Sequence, residues 1–341
     1  MQKRLGYAKI KGRIDCSYYE RKIILDQDKI FIKNATPRNV GGQAVIEGVM
    51  MKGPKDIAIA VRKPDQEIIV KKEAIQGIAA SSISKLPIFR GVIALIDSMI
   101  IGVKALTYSA EFFEEYEDTG EKGRIEQWIE NRFGDKANDV MIYFSVFIAM
   151  ALAVLIFIIS PTVITTFLKR YITNPLGLNI AEGVFRITLF VGYVLLISQM
   201  KDIQRVFQYH GAEHKTIHCY ESGQELTVDN VRTFTTLHPR CGTSFLLIVM
   251  VISMILFTMI GWPNPWVRIL SRFVLLPIVA GISYEIIRWA GRSQSQLVCM
   301  ISYPGLMLQK LTTREPDDSQ LEVAIAALKN VLVEDKEADL W

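Results

Sequence analysis

The sequence predicts an α-helical membrane protein with about four transmembrane helices. An α+β cytoplasmic N-terminal domain, an interfacial amphipathic helix and a C-terminal helical tail complete the expected architecture. Three observations carry this. Half of the 341 residues are hydrophobic and 22% are charged, with mean hydropathy +0.24, which is too apolar for a disordered chain. No charged side chain interrupts Val140 to Leu168, or the run between Arg240 and Arg268, and a spanning helix needs only about 20 such residues. Basic residues also favour alternate connections between the apolar runs. The same composition excludes other classes. Four cysteines in this length do not make a disulfide scaffold. A net charge of +4 from 39 basic and 35 acidic groups gives little drive toward nucleic acid, so no nucleic-acid partner is expected. The start, MQKRLGYAKIKGRID, has charges but no apolar segment behind them, unlike a signal peptide.

Residues 1–36 are charged and irregular, and read as an appended extension. Residues 37–86 form a small β-containing domain. GGQAVIEGVMM alternates, and DIAIAVRKPDQEIIVKKEAI reads as two strands around a Lys-Pro-Asp turn. Glu47, between Ile46 and Gly48, is either a functional carboxylate or a surface residue beside a tight turn. Residues 87–139 follow as an interfacial and a surface helix. Over 87–108 the only charges are Arg90, Asp97 and Lys104, spaced by seven and so on one stripe. Such a helix lies in the membrane interface or packs with its polar stripe inward.

The bundle, 140–292, holds spans at 140–168, 180–200, 244–262 and 269–290. The loop 201–243 carries Lys201, Arg205, Lys215, Arg232 and Arg240, against Lys169, Arg170 and Arg268 in the two short turns. This bias places the loop and both termini in the cytoplasm, with the protein in the inner membrane. Glu285 and Arg288 share a face of the fourth span at the depth of that loop, so Glu285 is a candidate catalytic or supporting carboxylate. The tail, 293–341, starts a helix at Asp317-Asp318, and Leu321, Ala324, Ile325 and Leu328 form its docking stripe.

All four histidines lie between His210 and His238, in YHGAEHKTIHCYE and LHPRCGTSF. On an ideal helix His214 sits ~40°, His218 ~80° and Glu221 ~20° round from His210. His210-Gly-Ala-Glu213-His214 also fits the H-x-x-E-H pattern, in which two histidines bind zinc and a glutamate acts as base. His238 and Cys241 supply further imidazole and thiolate, and Arg240 beside Cys241 favours its ionisation. The metal candidates are therefore His210, His214, His218, His238 and Cys241, with Glu213 as proton acceptor and a divalent ion, zinc, as cofactor. His210, His214 and His238 are expected to converge, with Cys241 as the alternative third ligand. Cys219 points off the shared face. The bland alternatives are a hydrogen-bonded brace, or a patch binding lipid phosphates together with Lys215, Arg205 and Arg240.

GGQAVIEGVMMKGP, YHGAEHKTIHCYE, HPRCGTSFLL, SYEIIRWAG and TTREPDDSQLEVAIAAL together resemble the YqhQ-like family of bacterial multi-pass membrane proteins, from about Arg38 to Leu328. Its members are loosely described as predicted metal-dependent enzymes, their function being unknown. The resemblance implies roles for His210, Glu213, His214, His218, His238, Cys241 and Glu47.

The expected function is a metal-dependent hydrolase at the cytoplasmic membrane face, acting on a lipid or a membrane protein. The alternative is an assembly or scaffold factor whose polar loop is stapled by a metal, with membrane lipids or other membrane proteins as partners. Metal transport is disfavoured because the centres of the spans are nearly bare of ligands.

Overall fold

The computed structural model describes residues 38–75, 86–117, 124–134, 137–261, 264–292 and 295–333. The expected extension 1–36 lies outside these. Four strands, β1 (Gly41–Val45), β2 (Gly48–Lys52), β3 (Asp56–Arg62) and β4 (Ile68–Ala74), form an antiparallel meander in sequence order. GGQAVIEGVMM is thus a hairpin and not a single strand. Gly48 pairs with Val45, and the chain reverses at Ile46-Glu47, where Glu47 adopts a left-handed φ of 49°. The expected Lys-Pro-Asp turn closes β3 onto β4. Both faces of β2 and β3 are covered, which explains their near-continuous apolar sequence.

The helices are α1 (Phe89–Glu117), α2 (Arg124–Phe133), α3 (Ala137–Val154), α4 (Ser160–Leu168), α5 (Pro175–Ile197), α6 (Lys201–Glu221), α7 (Val228–Arg232), α8 (Gly242–Ile260), α9 (Pro265–Arg292), α10 (Gln296–Thr312) and α11 (Asp318–Val331). A π turn, Leu155–Ile159, joins α3 to α4. Pro161 cannot donate to the carbonyl four residues back, and the helix widens there instead of breaking. Among the described residues, four helical stretches are long and apolar enough to cross a membrane: Val140–Leu168, Pro175–Ile197, Gly242–Ile260 and Trp266–Gly291.

The sheet does not stand alone. On one face Val49, Met51, Ala58 and Ala60 pack with Tyr209, Ala212 and Ile217 of α6 and with Leu321, Ala324 and Leu328 of α11. The apolar stripe of the tail therefore docks as its spacing predicts. Asp317 caps α11 and forms a reciprocal capping box with Gln320. On the other face Val45, Met50, Ile59 and Val61 pack with Ala105, Ile101 and Tyr108 of α1. Helix α1 turns Arg90 and Asp97 inward and leaves Ile96, Met99, Ile100, Val103 and Leu106 exposed at helical spacing. It also runs through Glu111 to Glu117, where a separate surface helix is expected from the sequence.

Candidate metal centre

Helix α6 is polar in sequence yet buried from Gly211 to Cys219. It lies between the sheet, α11 and the segment leaving α10. That segment approaches at Gly211, where a Cβ would sit 2.1 Å from the Arg314 carbonyl oxygen, so no larger residue fits. The Arg314 N–H donates to the Phe207 carbonyl at 2.9 Å. From the other side comes β1, whose Gly42 N–H donates to the Glu213 carboxyl. A side chain at Gly42 would meet both the Met50 carbonyl and Glu213.

The histidine and thiol groups fall into two trios. His210, His214 and Cys241 place one ligand atom each within 4.8 Å of one another, and so do His218, Glu221 and His238. In the first trio His210 Nδ1 is 2.8 Å from the Thr312 carbonyl, and His214 Nδ1 is 2.5 Å from the Thr236 carbonyl. A carbonyl only accepts, so both rings donate through Nδ1 and turn Nε2 toward the sulfur. His210 Nε2 lies 3.2 Å from Cys241 Sγ, and the His214 ring also bonds to that sulfur. Two imidazoles fixed through Nδ1 by backbone carbonyls are the arrangement that orients metal-ligating histidines.

The second trio is wired differently. Glu221 Oε1 accepts from the Arg240 guanidinium and, at 2.8 Å, from the Arg38 N–H. His238 Nδ1 accepts the Arg240 N–H at 3.3 Å, which leaves its proton on Nε2, 3.6 Å from Glu221 Oε2. His218 Nε2 donates to the Leu237 carbonyl at 2.9 Å. This is a buried hydrogen-bonded brace.

Burial sets the electrostatics. It pushes Glu213 up to about 7 and His214 down to about 4, and lowers His218 and His238 as well. The three imidazoles are therefore neutral near pH 7, as ligation requires. Burial alone would raise the Cys241 thiol, but its coupling with the His214 ring and the Thr243 hydroxyl and N–H outweigh it, so the thiol lies below its ordinary value.

A family model described as "Protein of unknown function (DUF1385)" matches residues 86–334. The chain belongs to that family. It is also 36% identical over 307 residues to the "Uncharacterized protein YqhQ" of Bacillus subtilis (strain 168), covering 88% of this chain and 94% of the relative. No solved structure matches the chain. The DUF1385 region runs from α1 to α11 and contains both trios, whereas Gly42 and Glu47 lie before it.

Several expectations for the DUF1385 chain change on the structure. Cys241, the alternative third ligand, joins His210 and His214, and His238 does not. Its ring centroid is 5.5 Å from that of His214, but its nitrogen belongs with Glu221, and Cys241 takes the third place. Arg240 does not face Cys241, because Glu221 holds its guanidinium. Glu285 is not at the centre either. It forms a bidentate pair with Arg90, which joins α1 to α9, and Arg288 adds only a smaller charge contribution. Glu47 is bound by Arg205 and by the Tyr209 hydroxyl at 3.2 Å, which fastens the β1–β2 turn to α6. The cations suited to lipid phosphate are likewise engaged: Lys215 by Glu315 at 2.7 Å, Arg205 by Glu47 and Arg240 by Glu221. Cys219 sits in the apolar core, and burial pushes its thiol up to about 11.

Sequence reasoning missed Gln309. Buried in α10, it takes the His238 N–H on Oε1 and donates through Nε2 to the His238 carbonyl at 2.8 Å and to Ser244 Oγ at 2.9 Å. A lone amide in the apolar run SYPGLMLQKL is the only signal that could have found it.

Proposed function

We propose that the chain is a metal-dependent hydrolase of the cytoplasmic membrane face, with His210, His214 and Cys241 as the zinc ligands and Glu213 as the base. The observation that carries the reading is the pair of imidazoles locked through Nδ1 by Thr312 and Thr236, each presenting Nε2 beside a thiol of lowered pKa. The set fits zinc, and three protein ligands leave one position for water or substrate, as catalytic sites do. Zinc bound there supplies Lewis acidity to a substrate carbonyl or phosphoryl group. Glu213, poised near neutrality by burial and held by the Gly42 N–H, takes the proton of the attacking water and returns it to the leaving group. The Glu221–Arg240–His238–Gln309 network holds the turn segment carrying Cys241 against α6.

The four apolar helices and the exposed apolar stripe of α1 support insertion in the inner membrane. The basic bias of loop 201–243 supports a cytoplasmic loop and cytoplasmic termini. Both the helix before α6 and the helix after Cys241 are such candidate spans, so the substrate class is a lipid or the cytosolic end of a membrane protein. The test is elemental analysis of purified protein together with mass-spectrometric detection of products from a membrane-lipid extract. Wild type carries zinc and hydrolyses. Glu213→Gln retains zinc without turnover, and His214→Ala loses both. If Glu213→Gln is fully functional while His214→Ala only unfolds the loop, the metal is a staple, and the scaffold function replaces the enzyme.

A further inference from the structure

Far from the histidine helix, a second polar centre lies among the apolar helices. Glu182 on α5 is buried, and three arginines surround it: Arg186 on α5, and Arg268 and Arg272 on α9. Arg186 Nη2 is 3.0 Å from Glu182 Oε1, Arg272 Nη2 bonds to the same oxygen, and Arg268 Nη2 is 3.6 Å from Oε2. Thr162 of α4 receives Arg272 Nη1 on its hydroxyl at 2.6 Å and Arg268 Nη2 on its carbonyl at 2.9 Å. Arg186 and Arg272 also face the Phe257 ring, with Cζ 5.9 and 5.2 Å from its centroid. Glu182 lies seven residues into α5, and Arg268 and Arg272 three and seven residues into α9, so the cluster is about 5–10 Å inside those helix ends. These ends are opposite to the one that carries α6.

The charges do not balance. Among the described residues three guanidinium groups meet one carboxylate, and the threonine oxygens and the aromatic face supply dipoles without negative charge. Buried like charges repel strongly where water is excluded, and a buried cation is stable only when it is paired. Two guanidinium nitrogens, Arg186 Nε and Arg272 Nε, are moreover buried without a hydrogen-bond partner. We propose that this cluster binds a phosphate group, whose oxyanions supply the missing negative charge and accept these free N–H groups. Arginine suits this ligand because its planar fork matches phosphate oxygens in pairs. The phosphate comes either from a lipid headgroup drawn into the bundle or from a soluble phosphate species.

The test uses the full-length chain in detergent, by native mass spectrometry and by thermal shift with inorganic phosphate. A phospholipid adduct retained by wild type and lost in Arg272→Gln supports a lipid source. Without an adduct, a saturable rise of Tm with inorganic phosphate supports a soluble source, with binding about tenfold weaker in Arg272→Gln. Glu182→Gln removes the competing carboxylate and therefore binds phosphate more tightly than wild type, an outcome that general misfolding does not produce. The proposal is overturned if wild type shows neither adduct nor phosphate response. It is equally overturned if Arg272→Gln and the peripheral Arg186→Gln leave the response unchanged, or if Glu182→Gln weakens it.

Discussion

Glu213 and the buried histidines act on stability in opposite directions. His214 titrates at about 4 when folded, well below an ordinary imidazole, because burial disfavours its charged form. In metal-free protein the unfolded chain therefore binds more protons between pH 6.5 and 4, and stability falls as the pH drops through that window. His214 alone contributes about 3 kcal/mol to this loss, and His218 and His238 add in the same sense. Glu213, raised to about 7, binds its proton early in the folded state and offsets part of the loss as the pH falls from 7 toward 4.5. Chelator-treated wild type should accordingly lose Tm between pH 7 and 5, and Glu213→Gln should steepen that loss. A flat profile in the variant would mean that the histidines are not held neutral by burial.

Pairs between helices differ in worth according to their exposure. Glu285 and Arg90 are each more than a quarter exposed, so Glu285→Gln should cost no more than ~1 kcal/mol in urea titration and leave zinc content unchanged. Glu221 and Arg240 are 6% exposed, and Glu221→Gln strands a buried guanidinium. The expected cost is about 3–5 kcal/mol, enough to loosen the turn segment that carries Cys241. Helix α11 gives a third measurement. Leu321 and Leu328 are fully buried against the sheet and α6, so either leucine-to-alanine change should cost about 2–5 kcal/mol, although neither residue belongs to a trio. Zinc affinity should fall with them, because α6 loses its backing.

Orientation across the membrane is tested by cysteine labelling. With cytoplasmic loops, an impermeant reagent applied outside intact cells should label Asn174→Cys and spare Ser222→Cys, and the reverse pattern would invert the topology. The long apolar helices are legible in the sequence because an uncharged run of that length has few other uses. The docking stripe of α11 is legible because its spacing and cap are local. The division of the ligands is not. A helical wheel places His210 and His218 ~80° apart, and that angle is wide enough for them to face different neighbours, Cys241 and His238. Glu285 shows the same limit, since its partner Arg90 lies 195 residues away while Arg288 is the near candidate in sequence. Hairpin β1–β2 is legible only as a tight turn beside Glu47, because Ile46 and Glu47 carry no glycine or proline signal at the reversal itself.

The candidate centre draws on three distant stretches: Gly42 near the start, the histidine helix in the middle, and Thr312 to Arg314 near the end. The ribosome delivers these pieces in that order. While the last of them is still unmade, His210 has no carbonyl to fix its ring, the Phe207 carbonyl has no Arg314 N–H, and α6 lacks the apolar backing of α11. Contacts between remote stretches form late and slowly. A nascent or prematurely terminated chain can thus form its long apolar helices while its histidines are still unassembled. The geometry of the trio is complete only once the segment from Thr312 to Arg314 has been made.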